Sequence, residues 1–306
     1  MAALALLAPV ASTQTLRAFA KINCGLRILA KRPDGYHEIR TIYQTIRLHD
    51  LVQLRLSGSG SQLLVECDVA WAPSGKTNLV YRACQLWKRV RRWRGSIKVE
   101  IAKHIPAGSG LGGASSDAAA VLAGLENLTG NQLTLAERYR IAAALGSDVP
   151  LFLWGGRVLG CGRGEEVYPM ADLPPVACLV VYPGFSLSTA EAYHKAGEGL
   201  TNGLPSSSIS NFGVWSQFPR LGWGPAENDF EAVAFAMWPE LARLKRRFFR
   251  AGAETASLTG SGSALYALFD SSRKLRHAQS WVPQGWRAFT TRTLPRTAYQ
   301  RLIVAA

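Results

Sequence analysis

Long apolar runs are missing from this sequence. None reaches the roughly 18 residues that suggest a membrane span, so no membrane partner is expected. Cysteine is scarce and poorly spaced for pairing. Cys24, Cys67, Cys84, Cys161 and Cys178 are an odd set with no C-x-x-C, which fits neither a disulfide framework nor a zinc site. Cys24, Cys84 and Cys178 lie in apolar runs and read as small buried hydrophobes; the implied compartment is reducing, hence cytoplasmic. Residues 1–10 have no Lys or Arg ahead of their apolar part, so they make a poor signal peptide and read as a ragged, partly disordered leader. There is no internal repeat. Acid is in short supply, with 21 Asp plus Glu against 35 Lys plus Arg, a balance that favours polyanionic partners.

What is present suits two domains of about 150 residues each, because 306 residues are too many for one compact core. Residues 16–56 read mostly as strands. Ile22, Cys24, Leu26 and Ile28 alternate with Lys21, Asn23, Gly25 and Arg27, so Lys21 and Asn23 project from the same face. RPDGYHE at 32–38 is a turn carrying an aromatic and an imidazole. A helix is expected at 77–90, with Leu79, Ala83, Leu86 and Val90 as its apolar stripe. The densest basic run, KRVRRWR at 88–94, is then the wet face and end of that helix, where positive charge suits the dipole. No nucleic-acid-binding motif accompanies the scattered basic clusters, so no nucleic-acid partner is expected. A strand is expected at 97–101, a helix at 118–128 closed by Gly130, and another from Thr134 with Glu137 completing a capping box. Residues 203–225 are rich in Ser, Gly and Pro and read as a long surface loop.

The strongest chemical signal is PAGSGLGGASSD at 106–117. Gly108, Gly110, Gly112 and Gly113 free the backbone to approach an anion closely. Ser115, Ser116 and the first helical N–H groups then face that anion at the positive end of the helix dipole. No G-K-[ST] follows, so this is not a Walker A loop, and a simple strand-to-helix turn needs fewer small residues. Asp148 follows a helix directly. It is either a turn residue or, if it faces the phosphate loop, a base for a substrate hydroxyl. Lys21 on its strand is either solvated or, beside an aspartate, a group that supports an attacking hydroxyl.

Together these segments resemble the galactokinase–homoserine kinase–mevalonate kinase–phosphomevalonate kinase (GHMP) superfamily. The strings that carry the resemblance are AKIN at 20–23, RPDGYHE at 32–38, IPAGSGLGGASSDAAA at 105–120, GSDVP at 146–150 and LTGSGSA at 258–264. They occur in the expected order, and DGYHE with GSDVP points to the branch that acts on a cytidine-diphosphate-linked methylerythritol in non-mevalonate isoprenoid synthesis. Ala114 departs from the pattern, standing where a further glycine is usual.

The resemblance implies an α+β kinase of two domains, 13–167 and 168–306. The first is like ribosomal protein S5 domain 2 and the second ferredoxin-like, with the active site in the cleft between them. It implies ATP on Pro106, Ala107, Gly108, Ser109, Gly110, Leu111, Gly112, Gly113, Ala114, Ser115 and Ser116, with Mg²⁺ bridging the phosphates. Asp148 would take the proton of the substrate 2-hydroxyl and Lys21 would orient that hydroxyl. Asn23, Tyr36, His37 and Tyr193 would bind the substrate, the aromatic and imidazole groups holding its cytosine. A basic nucleic-acid binder would leave Asp148 and the glycine loop without a role.

Overall fold

The computed structural model describes residues 12–73, 75–186 and 226–304; the leader and the 203–225 loop lie outside these. The first half is built on two long antiparallel strands, β1 (Ser12–Lys31) and β2 (His37–Ser57), joined by the RPDGYHE turn. β3 (Leu63–Cys67), α1 (Leu79–Arg91) and β4 (Ser96–Ala102) form a crossover that returns β4 parallel to β3. Helices α2 (Gly113–Thr129) and α3 (Leu135–Leu145) follow, then the hairpin β5 (Arg157–Cys161) and β6 (Glu166–Pro169). The sheet order is β3-β4-β2-β5-β6, with β1 lying along β2. The division expected between residues 167 and 168 falls inside β6.

The second half comprises β7 (Ala177–Tyr182), α4 (Glu231–Met237), α5 (Pro239–Arg250), β8 (Thr255–Leu258), β9 (Leu265–Phe269), α6 (Ser272–Gln279) and β10 (Arg287–Arg292). Its sheet is antiparallel throughout in the order β10-β7-β9-β8, the ferredoxin-like arrangement expected for this half. The last helix, α7 (Arg296–Leu302), does not stay there. Tyr299 is buried in the core of the first half and donates a hydrogen bond to the Phe152 carbonyl at 2.7 Å.

Local signals place the helices. The Asn78 side chain accepts the Val80 N–H at 2.8 Å and starts α1. The buried side of α1 is Val80, Ala83, Cys84 and Trp87. Of the expected stripe, Ala83 is buried and Leu79 and Leu86 pack against the core at its edge, while Val90 is exposed. The reason is Trp87, which has the most apolar area to bury and turns the helix towards itself. The basic residues Lys88, Arg89 and Arg91 close α1 as expected. The Thr134–Glu137 capping box is formed in full and Gly130 ends α2 in the left-handed region. Cys24, Cys84 and Cys178 are buried thiols, and burial pushes Cys84 up to about 12.

Two apolar cores fill the halves, and a third joins them. Ala20, Ile22 and Cys24 of β1 pack with Ile105, Leu111, Cys178, Val180, Tyr266 and Leu268. Strand β1 is therefore covered on both faces, and its central polar residues are sealed within the junction.

Candidate active site

Lys21 and Asn23 lie between two register shifts of the β1–β2 ladder, one between Phe19 and Lys21 and one between Asn23 and Leu26. Such irregularities re-aim side chains. Both residues are buried, Lys21 at 3% exposure, so the solvated lysine is excluded. Its ammonium needs partners there. It has the Asp148 carboxylate at 3.2 Å and the Asn23 Oδ1 at 2.8 Å. Asn23 donates in turn to Thr41 Oγ1 at 2.7 Å. Asp148 is 31% exposed and accepts from the Tyr43 hydroxyl at 3.3 Å. Lys21 is locked from below while Asp148 presents a free edge outward. The two residues paired from sequence are thus in direct contact.

The glycine loop closes over this pair. The Lys21 N–H donates to the Leu111 carbonyl at 2.9 Å. Gly112 caps α2 with φ 74°, and a Cβ there would come within 3.1 Å of the Lys21 and Phe152 side chains. No side chain caps α2, so its first N–H groups are left for an anion. The helix starts at Gly113, earlier than the expected residue 118, and the seryl-rich stretch is itself its first turn. On its other side the loop is seated on the LTGSGSA segment. The Ala264 N–H donates to the Ser109 carbonyl at 3.2 Å, and Thr259 Oγ1 to the Gly110 carbonyl at 3.1 Å and to Asn23 Oδ1 at 3.2 Å. A Cβ on Gly110 would overlap the Thr259 carbonyl, and one on Gly262 the backbone of Ser109 and Gly110. Asn228 holds this segment from behind by donating to the Leu258 and Gly260 carbonyls, each at 2.9 Å.

A cavity of about 470 Å³ opens on the loop, within the size of small-ligand sites. Pro106, Ala107, Gly108, Ser109 and the residues on to Ser115 form one wall; Trp71, Pro73, Asn78 and Leu79 form the other. Behind it, the Lys103 ammonium is clamped between the Asp50 and Asp117 carboxylates, all three side chains buried. Asp50 also accepts the His104 and Ile105 N–H groups at 2.5 and 2.8 Å, fixing the strand that leads into the loop. Burial, opposed by Lys103 and reinforced by Asp50, pushes the Asp117 carboxyl up to about 7. Burial works against the Lys103 ammonium, but the two carboxylates outweigh it and raise it. Ser116 Oγ is buried without a hydrogen-bond partner.

Tyr36 and His37 stand at the turn between β1 and β2. Tyr36 is 53% exposed, so it is no core aromatic. The Arg163 guanidinium lies 4.6 Å over its ring. Burial, with Lys31 nearby, holds the His37 imidazole below its ordinary 6.5, so it is neutral at pH 7. The β5–β6 hairpin links this turn to the acid: Arg163 covers Tyr36, and the Tyr43 hydroxyl that reaches Asp148 also donates to the Gly164 carbonyl at 3.5 Å. Tyr193 lies outside the described residues. Sequence reasoning missed Tyr43, Thr259, Arg163, Trp71 and the Asp50–Lys103–Asp117 cluster. The GRGEE run at 162–166 was the available signal for the hairpin; the others come from distant segments with no local pattern.

A glycine-rich anion loop at a helix start, a lysine–aspartate pair beneath it and a two-sheet α+β frame define a small-molecule kinase of the GHMP type. Residues 78–156 match the family model "GHMP kinases N terminal domain" and residues 220–287 "GHMP kinases C terminal". The chain belongs to the 4-diphosphocytidyl-2-C-methyl-D-erythritol kinase family and uses ATP. It is 46% identical to the kinase of that name from Solibacter usitatus, covering 83% of this chain and 80% of that protein. The corresponding figures for the Pelotomaculum thermopropionicum kinase are 37%, 83% and 88%. The crystal structure of a 4-(cytidine 5'-diphospho)-2C-methyl-D-erythritol kinase, 33% identical, superposes with a TM-score of 0.72 over 91% of this chain and 98% of that one. Mevalonate kinase from L. major shares the fold, at 19% identity and a TM-score of 0.65 over 94% and 99%. Among the described residues no helix is long and apolar enough to cross a membrane.

Proposed function

We propose that the chain transfers the γ-phosphoryl group of ATP to the 2-hydroxyl of 4-diphosphocytidyl-2-C-methyl-D-erythritol, giving the 2-phosphate and ADP, in the non-mevalonate route to isoprenoid precursors. The observation that carries this reading is the Lys21–Asp148 pair, 3.2 Å apart, directly beneath the glycine loop. Asp148 accepts the proton of the 2-hydroxyl as its oxygen attacks the γ-phosphorus. The bond from that phosphorus to the β–γ bridging oxygen breaks, and its electron pair leaves on ADP. Lys21, fixed by Asn23, positions the hydroxyl and meets the negative charge. Positioning and charge neutralisation supply most of what phosphoryl transfer needs. The backbone of Gly108, Gly110, Gly112 and Gly113 and the open end of α2 hold the phosphates, and the cavity walled by Trp71 and Leu79 holds the base.

Mg²⁺ fits this site. It is usually held through one or two side chains plus substrate phosphates, and the described residues contain no cluster of three His, Cys, Asp or Glu that could hold a metal. Ser116 Oγ, buried without a partner, is the group that would hold it. Bound there, it would neutralise phosphate charge.

Tyr36 and His37 bind the substrate through its cytosine, with Tyr193 expected on the other face; Asn23, also expected at the substrate, is sealed and acts on it through Lys21, which it holds. The N-terminal kinase domain runs through β6, and α7 is returned to it. The five unpaired cysteines support a reducing, cytoplasmic setting. The test is ADP release from purified protein with ATP and Mg²⁺ over a panel of alcohols. Turnover is expected with the cytidine substrate and not with mevalonate, homoserine or a bare sugar alcohol. Equal turnover on a uridine analogue would overturn the cytosine assignment.

A further inference from the structure

A second and larger cavity, about 980 Å³, lies where β2 of the first sheet meets β10 and α6 of the second. It shares only Lys103 with the cavity on the glycine loop. Its wall carries Arg47 and His49 from β2, His104 beyond β4, Arg276 from α6, and Arg287 and Arg292 from β10, and no aspartate or glutamate lines it. Lys103 is already neutralised by Asp50 and Asp117. The four arginines are not: among the described residues none of them is ion-paired to a carboxylate. Arg287 is steadied by the Phe289 ring, 5.0 Å from its guanidinium carbon. Arg292 donates one N–H to the Pro175 carbonyl at 3.2 Å.

Four unneutralised guanidinium groups around one concavity repel one another, and a cleft of one sign focuses its field on a counter-ion. All four are solvent-exposed, so water screens them in part; what sets them apart is that they line one groove with no carboxylate in its wall. Guanidinium geometry matches phosphate oxygens two at a time, and the volume suits a small molecule better than a polymer. We propose that this groove, lined by Arg47, Arg276, Arg287 and Arg292, is a binding site, separate from the active site, for a small molecule carrying a diphosphate group. The diphosphate is either free pyrophosphate or the head of an organic diphosphate, whose carbon body would rest on Leu48, Leu275 and Phe289.

Isothermal titration of the full chain tests this at about 0.15 M salt, with the nucleotide pocket saturated by adenosine, which carries no phosphate to enter the groove, and no divalent metal present. The probes are inorganic pyrophosphate and n-butyl diphosphate. One equivalent is expected to bind, and tighter binding of n-butyl diphosphate identifies the organic source. The double variant Arg276→Gln/Arg287→Gln should weaken binding at least about tenfold, the loss expected for one charge-assisted contact, with ADP affinity unchanged. Each single variant should show a smaller loss, which keeps the test intact if the double variant misfolds. Absence of binding at millimolar probe, or binding untouched by these variants, overturns the site. Displacement of pyrophosphate by a short single-stranded oligonucleotide at lower concentration would also overturn it, in favour of a nucleic-acid surface.

Discussion

At the scale of single residues the site depends on what is sealed and what is left open. Lys21 is sealed, while Asp148 keeps an exposed edge. Replacing Asp148 with Asn should therefore remove the proton acceptor, and it also takes the counter-charge from the buried Lys21, so some stability is lost with it. We expect turnover to fall about 10²–10⁴-fold with ADP affinity nearly unchanged. Single-turnover kinetics and calorimetry check this, and near-normal turnover would take Asp148 out of the mechanism. Tyr36 and His37 should act on the substrate alone. Tyr36→Ala and His37→Ala are each expected to raise the KM for the cytidine substrate by one to two orders of magnitude, since a stacked base is worth about 1–3 kcal/mol, and to leave the KM for ATP in place. Because burial holds the His37 imidazole below its ordinary 6.5, protonating it should raise this KM only on the acid side of neutrality.

Asp117 makes a prediction about stability. Its folded carboxyl sits at about 7 against 3.8 when unfolded, so the folded state binds the proton more tightly. The stability this contributes is fully present below about 3.8 and is lost as pH rises through about 7. Lys103 is raised from 10.5 and titrates above that window. Urea titrations at pH 5 and pH 8 should show the wild type losing stability and Asp117→Asn losing less. Parallel pH dependence in the two proteins would refute the assignment.

At the scale of elements, the glycine loop is shaped as much by the segment it rests on as by the anion it faces. Gly110 has φ 82° and no space for a Cβ against Thr259. Gly110→Ala should cost at least about 1–2 kcal/mol for the left-handed backbone alone and should also weaken ADP binding, because the loop must lift off LTGSGSA. A shift in the urea midpoint with ADP affinity intact would make Gly110 a purely structural glycine. The loop itself was legible in the sequence because glycine, serine and a following alanine run are local signals. So were the capping box at Thr134 and the strand that pairs Lys21 with Asn23. The burial of that strand on both faces was not. Alternation reports one covered face, and the second cover arrives from Cys178, Tyr266 and Leu268, far along the chain. The centre of α1's buried face was shifted for a related reason: Leu79, Ala83 and Leu86 do pack on the core, but Trp87 takes the deepest place and Val90 turns out. The Asp50–Lys103–Asp117 cluster draws on the interior of β2, the residue that follows β4 and helix α2, so no window of sequence contains it.

At the scale of the molecule the two halves are not laid end to end. Thr259, Ala264 and Asn228 from the second half support the loop of the first, and α7 completes the first half's core. Tyr299 fills a site that its neighbours leave for it: Gly155, with φ 64°, has no Cβ where one would overlap the Tyr299 ring. Tyr299→Ala should cost about 3–5 kcal/mol, the range for large aromatics removed from a core. It should lower the stability of the kinase half even though the residue lies 147 positions from its hydrogen-bond partner Phe152. Chemical denaturation checks the magnitude, and a loss below about 1 kcal/mol would show that α7 is only draped on the surface.

The position of α7 also imposes an order of events during synthesis. Domains generally fold as they emerge from the ribosome, amino-terminal first. Here the slot between Gly155 and Phe152 stays open until Tyr299 has been translated. The nascent kinase half must therefore wait, with apolar surface uncovered, while the whole ferredoxin-like half is made. Slow translation between β6 and α7 would lengthen that exposure. A pause there should raise the demand for chaperones.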